Sequence, residues 1–176
     1  MKLNTKAKTI DQLSKYKSFN IAKHYFFNIK DYNKNKNLIL KKIQQKFKNT
    51  KVAIRSSTMV EDSKKMSMAG SFLSILNVEV NNKKKLINCI SKVIKSYKKY
   101  KNNYNKIIIQ EMISDIYISG VVTTKDKNTS LPYFNIDYSF SNDSTVVTAG
   151  TENTHSLTLW KGKNPEKKFM KLIKIV

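Results

Sequence analysis

The sequence predicts an α+β protein built as two facing lobes, an α-rich first lobe and an antiparallel β second lobe. Three observations lead there. A helical period appears only in the segments 6–17, 35–48 and 82–100. From Lys106 onward, apolar residues come in short runs of strand character separated by turn residues. Between the two regions, 98–106 is a link rich in Lys, Asn and Tyr. The expected division is 1–103 for the first lobe and 104–176 for the start of the second.

Each element has its own signal. In 6–17, Ile10 and Leu13 share a face while Asp11 and Gln12 lie opposite. In 18–30, Phe19, Ile21, Tyr25, Phe26, Phe27 and Ile29 point to a buried extended segment, with Asp31 placed to cap the helix that follows. Leu38, Ile39, Ile43 and Phe47 give 35–48 an apolar stripe, and Asn49-Thr50 ends it. Val52-Ala53-Ile54 is a short strand that delivers Arg55-Ser56-Ser57, and the small polar residues of 58–71 read as a loop. Phe72 to Val80 alternates as a strand, and 82–100 carries the clearest helical face, with Leu86, Ile87, Ile90, Val93, Ile94 and Tyr97. Strands are expected at Lys106–Met112, Ile118–Thr124 and Tyr133–Phe140, with a turn at Asp126–Ser130. Two more are expected at Val146–Thr148, ending at Gly150, and at Leu157–Trp160. An apolar, lysine-rich segment begins at 166.

Composition narrows the class. Hydrophobic residues make up 40% of the 176, enough for a folded core. The longest apolar patches, such as Ile107-Ile108-Ile109, fall far short of the ~20 residues that span a bilayer. Met1 to Lys6 lacks an apolar stretch of signal length, so a cytoplasmic location is expected, without membrane contact. The single cysteine, Cys89, lies in a helical apolar pattern and reads as a core residue. The formal charge of +22 invites a nucleic-acid partner. Yet the lysines are scattered, apart from Lys83-Lys84-Lys85 and Lys98-Lys99, and Asn, Ile and Tyr are abundant with them. Those residues share A/T-rich codons, so genome bias and a solvated surface account for the charge. Arg55 is the only arginine. Where lysine serves everywhere else, a guanidinium marks a place that needs a planar, forked donor suited to phosphate oxygens.

The informative block is Val52-Ala53-Ile54-Arg55-Ser56-Ser57, then Glu61-Asp62, then Ser67-Met68-Ala69-Gly70-Ser71-Phe72, then Leu76-Asn77-Val78. A strand ending in Arg-Ser-Ser offers a guanidinium and two hydroxyls from a rigid base, and a loop with Gly70 can bring backbone N–H groups near an anion. Neither a GxxxxGK[ST] loop nor GxGxxG is present. The block resembles the VRSSxxxED…SxAG…LNV signature of phosphoenolpyruvate synthases, pyruvate phosphate dikinases and rifampicin phosphotransferases. Ile108-Ile109-Gln110-Glu111-Met112-Ile113 with Ser119-Gly120-Val121-Val122-Thr123-Thr124 resembles that family's VQxMV…SGVxFT strands, and Lys6-Ala7-Lys8-Thr9-Ile10 its KGxNL segment.

The resemblance implies an ATP-grasp-like nucleotide-binding domain, truncated before it is complete. Lys6 matches the lysine that reaches the nucleotide phosphates, and Arg55 the arginine on the transferred phosphate. Gly70 and Ser74 match the loop that covers the phosphates. Gln110, Glu111, Met112 and Ile113 match the hinge strand whose backbone meets adenine. Asn4-Thr5 stands where the family has Gly-Gly, and Lys125 replaces an arginine. ATP and Mg2+ are the implied cofactors, with the metal carboxylates expected outside this chain. A partner chain carrying those residues and a phosphohistidine domain is also expected. In such enzymes ATP phosphorylates a swivelling histidine, which then phosphorylates pyruvate or, in glutamine-kinase-like members, an amide. Thr154-His155-Ser156 lacks the small flanking residues of the phosphohistidine motif, so His155 reads as structural, as does His24 beside Tyr25-Phe26-Phe27. Two other classes remain open: an inactive nucleotide-binding remnant or subunit, and a basic nucleic-acid binder. The last predicts steeply salt-dependent binding to nucleic acid; a filter-binding assay at modest salt that retains none excludes it.

Overall fold

Three consecutive isoleucines form the middle of the first sheet. Ile107, Ile108 and Ile109 are 0%, 1% and 0% exposed, so both faces of their strand are covered. The computed structural model describes residues 5–58, 72–97, 100, 102, 105–126, 129–141, 146–150 and 154–162. They fall into two units, Met1–Met112 and Ile113–Val176.

The first unit runs α1 (Lys6–Leu13), β1 (His24–Asn28), α2 (Ile29–Lys46), β2 (Lys51–Ser57), β3 (Ser74–Glu79), α3 (Lys83–Ser96) and β4 (Lys106–Glu111). The strands make one antiparallel sheet in the order β1-β4-β2-β3. The last strand in sequence therefore inserts between the first two. This corrects the expected seam at 103: β4 completes the first sheet, and the chain divides after Met112. The reason is the isoleucine run, which needs cover on both sides and finds it only in a central position.

One face of the sheet carries the core. Phe27, Val52, Ile54, Ile107 and Ile109 meet Ile29, Ile39, Leu40, Ile43 and Phe47 of the α2 region and Leu86, Cys89, Ile90, Val93, Ile94 and Tyr97 of the α3 region. Each fully buried aliphatic chain contributes about 1.5–3 kcal/mol relative to exposure. Cys89 is a core residue, as its pattern indicated.

Local chemistry sets the element ends. α2 starts at Ile29, earlier than expected, because Ile29 and Tyr32 both bury one turn apart. Asp31 does not cap it; Asn28 occupies the N-cap and donates from Nδ2 to Asp31 Oδ2 at 2.9 Å. A break at Asn35 (φ −128°, ψ 40°) separates that first turn from the expected periodic stretch. α2 ends as expected: Asn49 has φ 59°, and Thr50 returns both N–H and Oγ1 to the Phe47 carbonyl. In β3, strict alternation fails. Val52 pairs with Val78 and Ile54 with Ile75, so β3 holds one extra residue, and Asn77 takes φ 56° at the bulge. The bulge turns Ile75 and Val78, three apart, toward the same core.

The second unit is a meander, β5 (Ser119–Thr123), β6 (Tyr133–Ser139) and β7 (His155–Trp160), with α4 (Val146–Ala149) between the last two. Gly120 is required there: a Cβ would lie 2.6 Å from the Asp137 carbonyl oxygen. The turn after β5 is present, with Asp126 Oδ1 accepting from Thr129 N and Oγ1 at 2.8 Å. The strand expected at Val146–Thr148 is instead one turn of helix closed by Gly150 N–H to the Val146 carbonyl, with Gly150 at φ 65°. Val146 is buried and α4 packs on β5 and β6, which a helical turn satisfies without a strand partner. Among the described residues no helix is long and apolar enough to cross a membrane. The 166–176 segment lies outside the described residues.

Burial raises the Tyr32 hydroxyl above its ordinary value of 10.0, and burial followed by the nearby Asp31 charge does the same for Tyr25. In the fold both stay protonated where the unfolded chain already ionises. Their contribution is complete below pH 10.0 and is lost as pH rises through the folded-state values. The Tyr32 hydroxyl is buried without a hydrogen-bond partner. Tyr32→Phe is therefore expected to hold or raise stability, by up to about 1 kcal/mol, and to flatten the alkaline fall. Thermal melts from pH 8 to about 11 check both.

Candidate functional site

Residues directly opposite one another in an antiparallel ladder share a face. Arg55 pairs with Ile108 on one side and Ser74 on the other, and Ala53 pairs with Gln110, which pairs with His24. Arg55, Ser74, Gln110 and His24 therefore lie on the sheet face opposite the α2–α3 core, along with Phe26, Ser57 and Lys106. Strand alternation produces this directly, because Ile54 must bury in the core and so turns Arg55 away from it.

Ile108 and Ala53 floor this face and are buried. Arg55 is half-buried above them, and its Nη1 donates to Gln110 Oε1 at 3.3 Å. That contact orients the guanidinium and leaves it other donors in its fork. Beyond Ile108, Lys106 Nζ sits 4.8 Å over the Phe26 ring, and His24 stacks on the same ring at 6.0 Å. His24 Nδ1 also lies 3.1 Å from the Ala22 carbonyl oxygen, so it has the packing role expected of it.

α1 is tied to this face through Ser57. Ser57 Oγ accepts from Ala7 N–H at 3.0 Å, and Ala7 is fully buried. Lys6, half-buried, is the residue just before it. The Ser57 backbone is held from behind: its N–H donates to the Tyr97 hydroxyl at 3.0 Å, which donates to the Lys106 carbonyl at 2.6 Å. Tyr97 thus bridges β2 and β4 near the end of their pairing. Phe72, where the described chain resumes, packs on the Tyr97 ring at 5.6 Å.

The expected site residues are brought together in part. Arg55, Ser74 and Gln110 share the face, and α1 bearing Lys6 is fastened to it. Ser74 is exposed at the start of β3, an edge strand. Gly70 and the rest of 59–71 lie outside the described residues. Glu111 pairs with Val52, so its side chain belongs to the opposite face. The N–H groups of Glu111 and Met112 are engaged by the Lys23 and Lys51 carbonyls at 2.8 and 2.9 Å. Ile113 is exposed. The two serines after Arg55 are not both offered outward: Ser56 buries on the core face, and Ser57 is committed to α1. His155 lies on β7, stacked on Tyr138 at 5.2 Å. Sequence reasoning missed the Ser57–Ala7 bond and the Lys106–Phe26–His24 stack. The period of two from Arg55 could have placed Ser57 on the same face, but no sequence signal names its partner fifty residues away.

A family model described as pyruvate phosphate dikinase, AMP/ATP-binding domain, matches residues 30–160. No curated protein matches the chain. That span contains Arg55, Ser74 and Gln110 but not α1.

Tyr97→Phe removes the bridge and leaves the buried Ser57 N–H and the Lys106 carbonyl without it. A loss of about 1–3 kcal/mol is expected, read from the urea midpoint with the slope unchanged.

Proposed function

The chain belongs to the pyruvate phosphate dikinase AMP/ATP-binding domain family, and from that membership we propose that the Arg55 face receives the phosphates of ATP. The observation that carries this reading is the placement of the single arginine: half-buried, on a rigid central strand, its guanidinium held toward Gln110 on the face away from the core. A donor fork fixed in advance loses little freedom on meeting a phosphate and can offset the charge that develops as the terminal phosphoryl group leaves. Lys6, carried by α1, supplies a second cation, and Gly70 with Ser74 supplies the cover.

Adenine is assigned to the 110–113 stretch. Because the Glu111 and Met112 N–H groups already donate within the protein, the next amide available in sequence is that of Ile113. The fold proposed with this reading is ATP-grasp-like, from the family membership.

The reaction class proposed from the family is ATP-dependent phosphoryl transfer to a histidine of a swivelling domain, and from there to pyruvate or an amide. Magnesium normally accompanies ATP in such chemistry. Among the described residues no group of three His, Cys, Asp or Glu could hold a metal ion, so no step is assigned to one.

A nucleotide titration followed by calorimetry tests the reading. ATP should bind, and Arg55→Ala should weaken it by about 10- to 100-fold, the loss of one charged hydrogen-bonding group. Adenosine affinity should change little. Equal affinities of wild type and Arg55→Ala for ATP would remove Arg55 from the site.

A further inference from the structure

We propose that Ser57 is the positioning residue for Lys6, its hydroxyl on a distant strand accepting from a first-turn amide of α1 beside the local Thr5 cap; this rests on the ATP reading above. α1 has eight residues, too few to hold a helix in isolation, and no acidic residue in its first turn to offset the positive end of its dipole. Four amides at a helix start lack intrahelical partners. Here Thr5 Oγ1 accepts from Lys8 N–H at 3.3 Å, a local cap. The Ala7 amide is met by Ser57 Oγ at 3.0 Å, across fifty residues of sequence.

The geometry makes this more than a stability device. Ser57 follows Arg55 by two on the same strand, so both project from one face, and their separation is set by the strand alone. Tyr97 fixes the Ser57 backbone to β4. The bond to Ala7 then fixes the start of α1, and Lys6 is the residue immediately before the bonded amide. Two cations assigned to the same phosphates, from helix and strand, are thereby held in one frame through a single hydroxyl.

The test is a double-mutant cycle on the full chain, with ATP affinity read by calorimetry and folding read by thermal melt. Ser57→Ala should raise the ATP Kd about fivefold, the equivalent of one lost cap. Ser57→Thr, which keeps the hydroxyl, should stay within about twofold of wild type. In a Lys6→Met background, Ser57→Ala should add less than about twofold, because its route to the nucleotide is already gone. In an Arg55→Ala background its effect should persist in full. Hydrogen exchange at the Ala7 amide should quicken in Ser57→Ala but not in Ser57→Thr, a readout that requires no nucleotide. A Ser57→Ala penalty equally large with Lys6→Met would overturn the proposal. So would unchanged ATP affinity in Ser57→Ala while Lys6→Met weakens binding, and that result would leave the ATP reading standing. Absence of ATP binding by the wild type would overturn both.

Discussion

The first unit depends on the burial of β4 between β1 and β2. Ile107 and Ile109 close the helical core, while Ile108 closes the opposite face. A slip of one residue would turn Lys106 and Gln110 toward the helical core. That requirement fixes Ile108 beside Arg55 and Ala53 beside Gln110. The positions of the polar residues on the open face are thus consequences of where the isoleucines must go.

A second constraint ties the parts of that face together. Ser57 and Tyr97 form a junction in which a side chain from α3's C-cap, the backbone ends of β2 and β4, and the start of α1 are linked by three hydrogen bonds of 2.6 to 3.0 Å. Ala7, Ser57 and Tyr97 are buried, where an unmade hydrogen bond costs more than one exposed to water. Phe72, where the described chain resumes, packs on the Tyr97 ring. The junction therefore links the strand that carries Arg55 to the helix that carries Lys6.

The second unit is organised differently. Its sheet buries Ile136 and Ser139 of β6, while Trp160, Phe140 and Tyr117 are exposed. The polar side of the sheet is ordered by side-chain pairs across strands, Asp137 with Ser156 at 2.6 Å and Asn135 with Thr158 at 2.9 Å. Such pairs stabilise a register modestly where apolar burial is thin.

The sequence alone determined the α+β class, the nucleotide-domain family, the core role of Cys89 and the arginine that stands out from the lysines, because these rest on periodicity, composition and local motif. Strand identity at Lys51–Ser57, Lys106–Glu111 and Tyr133–Ser139 was equally legible, since short apolar or alternating runs bounded by turn residues are a local property. Only the tertiary structure decided that β4 belongs to the first sheet, that Val146–Ala149 coils as helix, that β3 bulges at Asn77, and that Ser57 accepts from the α1 amide of Ala7. Each of these is settled by a partner remote in sequence: a sheet neighbour, a buried pocket, or an unpaired amide. Spacing along the chain carries no record of which distant group will satisfy it.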